Sequence, residues 1–197
     1  MKEQLDAVLE RWNLLKHPFY QAWSAGTLPV EALRAYAHEY GRFIAALPNG
    51  WETLGDPETA AEEREHAELW DRFAVAVGAA DRPQHRALPP QTEHLLRLAG
   101  EAFAKRASAL GALYAFEAQQ PATAQSKLEG LRRFYAFSAE AELYFDVHSS
   151  NHHEAAKLLR QIAALSAEEQ AQALSACAQM AEAMWNALTG IHQVACS

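Results

Sequence analysis

The scarcity of β-branched residues is the feature that most restricts the fold of this chain. Its 197 residues include six valines, three isoleucines and six threonines, against many alanines, leucines, glutamates and glutamines. Strands are enriched in β-branched side chains, whereas helices favour the residue types that dominate here. We therefore predict an all-α protein. A chain of this length buries one sizeable core and no shift in composition divides it, so we expect one domain over residues 1–197.

Apolar periodicity and helix-capping residues predict where the helices lie. The predicted helices span residues 3–16, 18–25, 29–54, 57–79, 89–120, 121–136, 138–165 and 166–193. Asp56 and Pro57 are typical of an N-cap and a first helical position, and Ser166 with Glu169 predicts a capping box. The proline-rich segment 78–91 predicts a long loop. Helices of this length each need a partner for one face, which indicates a helical bundle.

Charge and hydropathy exclude several classes of function. The formal net charge is -8 and no cluster of Lys and Arg occurs, which argues against a nucleic-acid partner. The N-terminal segment MKEQLDAVLERW has the pattern of an amphipathic helix, and no apolar run approaches bilayer length. We therefore expect a cytoplasmic protein with no membrane partner. Cys177 and Cys196 lack CxxC spacing and are predicted to be ordinary thiols.

The segment DVHSSNHHEAAK holds three of the nine histidines within six residues. His148 lies on an apolar stripe with Tyr144 and Phe145, so its side chain is predicted to point inward. His152 follows one turn later and shares that stripe. His153 lies among charged residues on another face and is predicted to be solvated. His148 and His152 are therefore candidate metal ligands.

Acidic side chains on two other predicted helices also point inward. Glu117 ends the apolar run ALGALYAFE, where a buried carboxylate must be paired, protonated or bound to metal; the alternative is a helix-end glutamate that leans into water. Glu63 and His66 form a Glu-x-x-His pair, the spacing of carboxylate-bridged metal sites in bundles, although Glu-rich surface helices also produce it. Whether Glu62 or Glu63 faces inward stays open. A set of imidazoles and carboxylates suits iron or manganese.

Four blocks of sequence resemble a known family in the same order. They are HPFYQAWSAGTLPVEALRAYAHEY, EHAELWDRF, ALYAFEAQQPATAQSKLEGL and ELYFDVH, and the resemblance covers residues 17–159. They are similar to the chlamydial protein associating with death domains (CADD) and its bacterial relatives, a branch of the haem-oxygenase-like superfamily that includes TenA, PqqC and the dimetal oxidases. The resemblance implies a bundle of seven to eight helices that binds two metal ions (iron, or iron with manganese) rather than haem, and that activates dioxygen. It also implies a homodimer.

The resemblance further implies a reaction and roles for individual residues. CADD relatives make 4-aminobenzoate for folate supply at the expense of a tyrosine and a lysine of their own chain, and Tyr20 and Lys127 match these positions. Tyr36 matches an aromatic position that lines the family's site. For Lys127 the alternative is a side chain that snorkels to water beside two leucines, and for Tyr20 an ordinary half-buried aromatic residue.

Three metal-ligand positions of the family match, and three depart. His66, Glu117 and His148 fall on matching ligands. The family's His-x-x-x-Asp-x-x-His motif has His152 and Ala155 here in place of its Asp and its last His. The family's usual Glu, seven residues before the matching His, would fall on Thr59, so Glu63 is predicted to replace it.

Three hypotheses for function follow. The first is an iron-dependent, or mixed iron and manganese, oxygen-activating oxidase that acts on a small-molecule substrate or on its own side chains. The second is a degenerate, metal-poor protein that binds a small molecule or a partner, as the loss at Ala155 suggests. The third is metal-free chemistry of the TenA or PqqC kind, which ranks last because the run ALGALYAFE lacks the nucleophilic cysteine of TenA hydrolysis.

Overall fold

The computed structural model describes residues 1–79, 89–150 and 153–195, except the side chains of 194 and 195. The protein is all-α, as predicted. No strand occurs in these ranges. The α-helices are α1 Lys2–Arg11, α2 Pro18–Ser24, α3 Val30–Ile44, α4 Leu47–Thr53, α5 Pro57–Ala76, α6 Pro90–Phe103, α7 Arg106–Glu117, α8 Gln120–Phe134, α9 Leu143–Ser149, α10 His153–Ala163 and α11 Ala167–Ala195. Two short 3₁₀ turns span Leu14–Lys16 and Ala139–Ala141.

Three long predicted helices are each interrupted, so the expected seven to eight helices become eleven among the described residues. The predicted helix 29–54 divides into α3 and α4, and 89–120 divides into α6 and α7 where Lys105 takes an extended conformation. The predicted helix 138–165 divides into a 3₁₀ turn, α9 and α10. At its break, the hydroxyls of Ser149 and Ser150 donate hydrogen bonds to backbone carbonyls of the preceding turn, which competes with helix continuation.

Helix α7 is the centre of the bundle. Ten of its twelve residues are buried, and α11, α10, α6 and α4 pack around it. At the crossing with α11, Gly111 lies against the backbone of Ala173. The absence of a side chain at Gly111 therefore permits the close approach of the two helices.

Replacing Gly111 by alanine should strongly destabilise the fold. A Cβ at this position would overlap the carbonyl oxygen of Ala173, so one helix must move, at a cost of about 3 kcal/mol of unfolding free energy. Gly100→Ala is the matched control, because Gly100 lies on the exposed face of α6 and a Cβ there meets nothing within 4 Å. That control should gain roughly 0.5–1 kcal/mol from helix propensity. Urea unfolding followed by circular dichroism measures both, and equal stabilities would contradict the packing described.

No described helix is long and apolar enough to cross a membrane. Cys177 is buried and unbonded, and burial raises the pKa of its thiol to about 12, which agrees with the prediction of an inert thiol. Cys196 lies outside the described residues.

Candidate metal centre

Helices α5 and α9 bring three potential metal ligands together. One ligand atom from each of Glu63, His66 and His148 lies within 4.8 Å of the others. Glu63 and His148 are each 2% exposed, and the side chain of His66 is 12% exposed. The rings of His66 and His148 lie 4.3 Å apart between centroids. The structure thus places these three predicted residues in one buried cluster, and Glu63 rather than the exposed Glu62 faces inward.

Local structure explains how α5 aims its two side chains. The carboxylate of Asp56 accepts the backbone N–H of Thr59 and Pro57 takes the first helical position, so the helix begins where the sequence predicts. Glu63 and His66 are three residues apart and therefore share a face. Nδ1 of His66 donates to Oε1 of Glu63 at 3.0 Å, which fixes both side chains.

The tautomer of His148 is set by its own helix. Nδ1 donates to the carbonyl oxygen of Tyr144 at 2.7 Å, so the proton is on Nδ1 and the lone pair is on Nε2. Metal-binding histidines are commonly oriented by such a bond from the second ring nitrogen. Burial, followed by the neighbouring His66, lowers the pKa of His148 to about 3. The imidazole is therefore neutral at physiological pH, the form that binds metals.

Three buried atoms have no hydrogen-bond partner within the described parts of the chain, two in this cluster and one on the neighbouring Glu117, which lies outside the group of three. They are Oε2 of Glu63, Oε1 of Glu117 and Nε2 of His148. Buried polar atoms without a partner are costly and rare in native proteins. Carboxylate oxygen and neutral imidazole nitrogen are donors suited to iron or manganese. The residues present therefore fit a metal ion, and Glu117 is buried rather than leaning into water.

Electrostatics show that Glu117 lies in an acidic environment. Burial, followed by the charges of Glu63 and Glu154, raises the pKa of Glu117 well above its ordinary value. Burial opposes protonation of His66, but its hydrogen bond to Glu63 and the charges of Glu63 and Glu154 raise its pKa overall. A metal ion at this centre would replace protons as the balancing positive charge.

Glu154 is the residue of this neighbourhood that the sequence analysis missed. It is 4% exposed and belongs to the buried stripe of α10 with Leu158 and Ile162, at intervals of four residues. The same spacing is present in the sequence, but a continuous helix over 138–165 would direct His152 rather than Glu154 inward. His152, the predicted partner of His148, lies outside the described residues, and His153 is exposed as predicted.

The predicted catalytic residues form a second buried cluster. The hydroxyls of Tyr20 and Tyr36 are hydrogen-bonded at 2.9 Å, and Nζ of Lys127 donates to them at 3.5 and 3.2 Å respectively. Nζ also lies 4.9 Å from the ring centroid of Tyr20 and 5.1 Å from that of Phe145. Lys127 is 3% exposed and Tyr20 is buried, so the alternatives of a snorkelling lysine and a half-buried tyrosine are wrong.

Burial alone lowers the pKa of Lys127 to about 7, so a large fraction of the amine is neutral at neutral pH. Burial also raises the pKa of Tyr20 above its ordinary value, although its hydrogen bond to Tyr36 opposes this, so the phenol keeps its proton. The cluster therefore holds a neutral phenol beside an amine of which a large fraction is neutral. A neutral amine has the lone pair that carbon–nitrogen bond formation requires.

A row of aromatic side chains joins the two clusters. Tyr36 contacts Trp70 at 5.3 Å between ring centroids, Trp70 contacts Tyr144 at 4.8 Å, and Tyr144 contacts His148 at 4.2 Å. Nε2 of Gln120 donates to the hydroxyl of Tyr144 at 2.7 Å and holds it in place. The amine and phenols thus lie within a few side chains of the candidate metal ligands, in surroundings from which water is excluded.

Replacing Glu117 by glutamine should stabilise the metal-free protein, increasingly as pH rises. Because the pKa of Glu117 is raised on folding, the folded state binds more protons than the unfolded state above pH 4.5, so stability falls as pH rises from there. Glutamine removes this penalty. The free energy of unfolding in urea is measured for chelator-treated wild type and variant at pH values of about 5, 6, 7 and 8. The variant should be the more stable protein, by a margin that widens as pH rises. A constant difference would contradict the account.

Sequence comparison decides the family. The sequence signature of iron-containing redox enzymes matches residues 15–187. The chain belongs to this family. It is also similar to proteins named 4-aminobenzoate synthase: 32% identical to that of Nitrosomonas europaea over 227 aligned positions, covering all of this chain and 92% of the relative, and 33% identical to that of Chlamydia pneumoniae over 168 positions, covering 74% of this chain and 73% of the relative.

Solved structures show the same fold. A TenA homologue from Pseudomonas syringae superposes with a TM-score of 0.77 at 18% identity, covering 97% of this chain and 92% of that one. A CADD-like protein from Nostoc punctiforme superposes with a TM-score of 0.64 at 16% identity, covering 99% and 97%. The predicted haem-oxygenase-like fold of the TenA and CADD kind is therefore confirmed.

Proposed function

We propose that this member of the iron-containing redox enzyme family is a metal-dependent, dioxygen-consuming oxidase that forms 4-aminobenzoate from its own Tyr20 and Lys127. The observation that carries the proposal is the buried contact of the Lys127 amine with the Tyr20 phenol, a short distance from a cluster of buried ligand atoms without partners. The name 4-aminobenzoate synthase, which two similar proteins carry, supports the same product.

Glu63, His66, Glu117 and His148 would hold the metal, for which iron or an iron and manganese pair is proposed. A metal bound there would supply dioxygen activation, with dioxygen as the oxidant. The protein contributes positioning and exclusion of water, because Tyr20 and Lys127 are buried among aromatic side chains. Their hydrogen bonds to Tyr36 hold them in contact before oxidation begins.

The structure of the product dictates what each residue must supply. In 4-aminobenzoate the amino group is opposite the carboxyl group on the ring, as the phenol oxygen is opposite Cβ in tyrosine. The nitrogen must therefore leave Cε of Lys127 and bond to the ring carbon that gives up the oxygen of Tyr20. Cβ must separate from Cα and be oxidised to the carboxyl carbon, with dioxygen as the oxidant. Nζ of Lys127 lies 3.5 Å from the Tyr20 oxygen, which places the amine beside the carbon it must attack.

Isotope labelling tests the proposal. The protein is prepared with ring-¹³C tyrosine and ε-¹⁵N lysine, loaded anaerobically with ferrous iron, with or without manganese, and then exposed to dioxygen. We expect 4-aminobenzoate that carries both labels, and a corresponding loss of mass at Tyr20 in the recovered chain. Unlabelled product, or no product from protein that has retained its metal, would contradict self-sacrifice. An anaerobic sample is the control.

A further inference from the structure

Ala155 stands where the family's motif that begins at His148 has its last histidine, so one potential imidazole ligand is missing. The structure places another potential metal ligand next to this position. Glu154, the preceding residue, is buried on the inner stripe of α10. It is the first buried residue of that helix and lies in its N-terminal turn. A buried carboxylate is therefore the chain neighbour of the position that has lost an imidazole.

Side-chain contacts between α10 and α5 indicate the position of Glu154. Lys157 of α10 pairs with Asp56 and donates to Oγ1 of Thr59 at 3.0 Å, at the beginning of α5. Glu154 lies three residues before Lys157 on α10, and Glu62 lies three residues after Thr59 on α5. The ligand atoms of Glu62, His153 and Glu154 indeed lie within 4.8 Å of one another. Two antiparallel helices thus bring Glu154 to the turn of α5 that carries Glu63.

The number of buried charges favours two metal ions over one. Three carboxylates, those of Glu63, Glu117 and Glu154, are buried in one neighbourhood, since the charges of Glu63 and Glu154 both act on Glu117. One divalent ion would leave the group with a net charge of −1, by the arithmetic of three carboxylates and one dication. Buried uncompensated charge is strongly unfavourable, whereas a second dication between the carboxylates supplies the missing positive charge.

We propose that Glu154 is a ligand of a second divalent metal ion, in place of the imidazole that Ala155 cannot provide. The inference rests on the metal centre of the proposed function and extends it to a residue outside the ligand motif. The unpartnered oxygens of Glu63 and Glu117 would be further donors for metal. His153, whose Nε2 lies 2.9 Å from Oε1 of Glu154, orients this carboxylate from the surface side.

The test is the stoichiometry of manganese binding. Metal-free wild type, Glu154→Gln and Glu65→Gln are titrated with Mn²⁺ by calorimetry, and retained metal is counted by mass spectrometry. Glu65 is the control because it lies on the exposed face of α5. We expect two ions for wild type and Glu65→Gln, and one ion for Glu154→Gln, with affinity for the second ion lowered by about tenfold or more.

Thermal unfolding separates loss of a ligand from loss of the fold. Without metal, Glu154→Gln should be at least as stable as wild type because it removes one buried negative charge, and saturating Mn²⁺ should raise its Tm less than that of wild type. Two ions bound to Glu154→Gln with unchanged affinity, or a single ion bound by both proteins, would overturn the role of Glu154 and leave the proposed oxidase standing. A wild type that binds no ion would overturn both.

Discussion

The His148→Ala protein is expected to lose its metal. The variant removes Nε2, the buried nitrogen that has a fixed tautomer and no hydrogen-bond partner among the described residues. Substitution of a residue that only supports a metal ligand lowers metal affinity by about 10–100-fold, so removal of a ligand should lower it at least as much. Mass spectrometry of protein loaded anaerobically with iron and manganese, and then dialysed, should find one or two metals per wild-type chain and essentially none in the variant.

Two further variants make this result interpretable. His94→Ala removes an exposed histidine of α6, away from the proposed ligands, and should retain the buried metal centre. Glu63→Gln preserves the shape of a ligand while removing its charge, so it reports on the site if the cavity left by His148→Ala destabilises the fold. A folded His148→Ala protein that binds as much metal as wild type would show that the metal is held elsewhere.

Lys127→Met and Tyr20→Phe are each expected to abolish product formation while leaving metal content unchanged. The first replaces the amine with an uncharged side chain of similar length, and the second removes the oxygen that marks the carbon to be aminated. Lys127→Met should also unfold at a higher urea concentration, since burial disfavours the ammonium that the unfolded chain would carry. Labelled 4-aminobenzoate, intact protein mass and retained metal are measured in parallel on the same samples.

Tyr36→Phe identifies which tyrosine supplies the ring. Nζ of Lys127 is closer to the hydroxyl of Tyr36, at 3.2 Å, but closer to the ring of Tyr20, at 4.9 Å against 5.6 Å. We expect Tyr36→Phe to form product at a reduced yield, with mass lost at residue 20. Product from Tyr20→Phe that is absent from Tyr36→Phe would reverse the assignment.

Local signals in the sequence predicted the elements whose ends are set by neighbouring residues. The cap at Asp56 and Pro57 begins α5 as predicted, and the phase of the helix then directs Glu63 and His66 to one face. The capping box of Ser166 and Glu169 likewise forms, with the hydroxyl of Ser166 donating to the carboxylate at 2.7 Å and accepting the N–H of Glu169. In both places the interactions span three residues and depend little on the rest of the fold.

Features set by contacts between distant segments could not be predicted in this way. Helical periodicity predicts that the apolar stripe of His148 continues past Ser149, whereas α9 ends at Ser149. The position of Glu154 depends on the contacts of Lys157 with Asp56 and Thr59, about a hundred residues earlier in the chain. A carboxylate on a helix rich in charged residues looks like a surface residue until such contacts are known.

Anomalous diffraction from crystals grown with Mn²⁺ locates the metal without reference to activity. We expect a strong anomalous peak with oxygen atoms of Glu63 and Glu117 and Nε2 of His148 within about 2.0–2.3 Å, the range of metal–ligand bonds in comparable sites. Crystals that contain manganese but show no anomalous peak among these side chains would contradict a metal centre at this position.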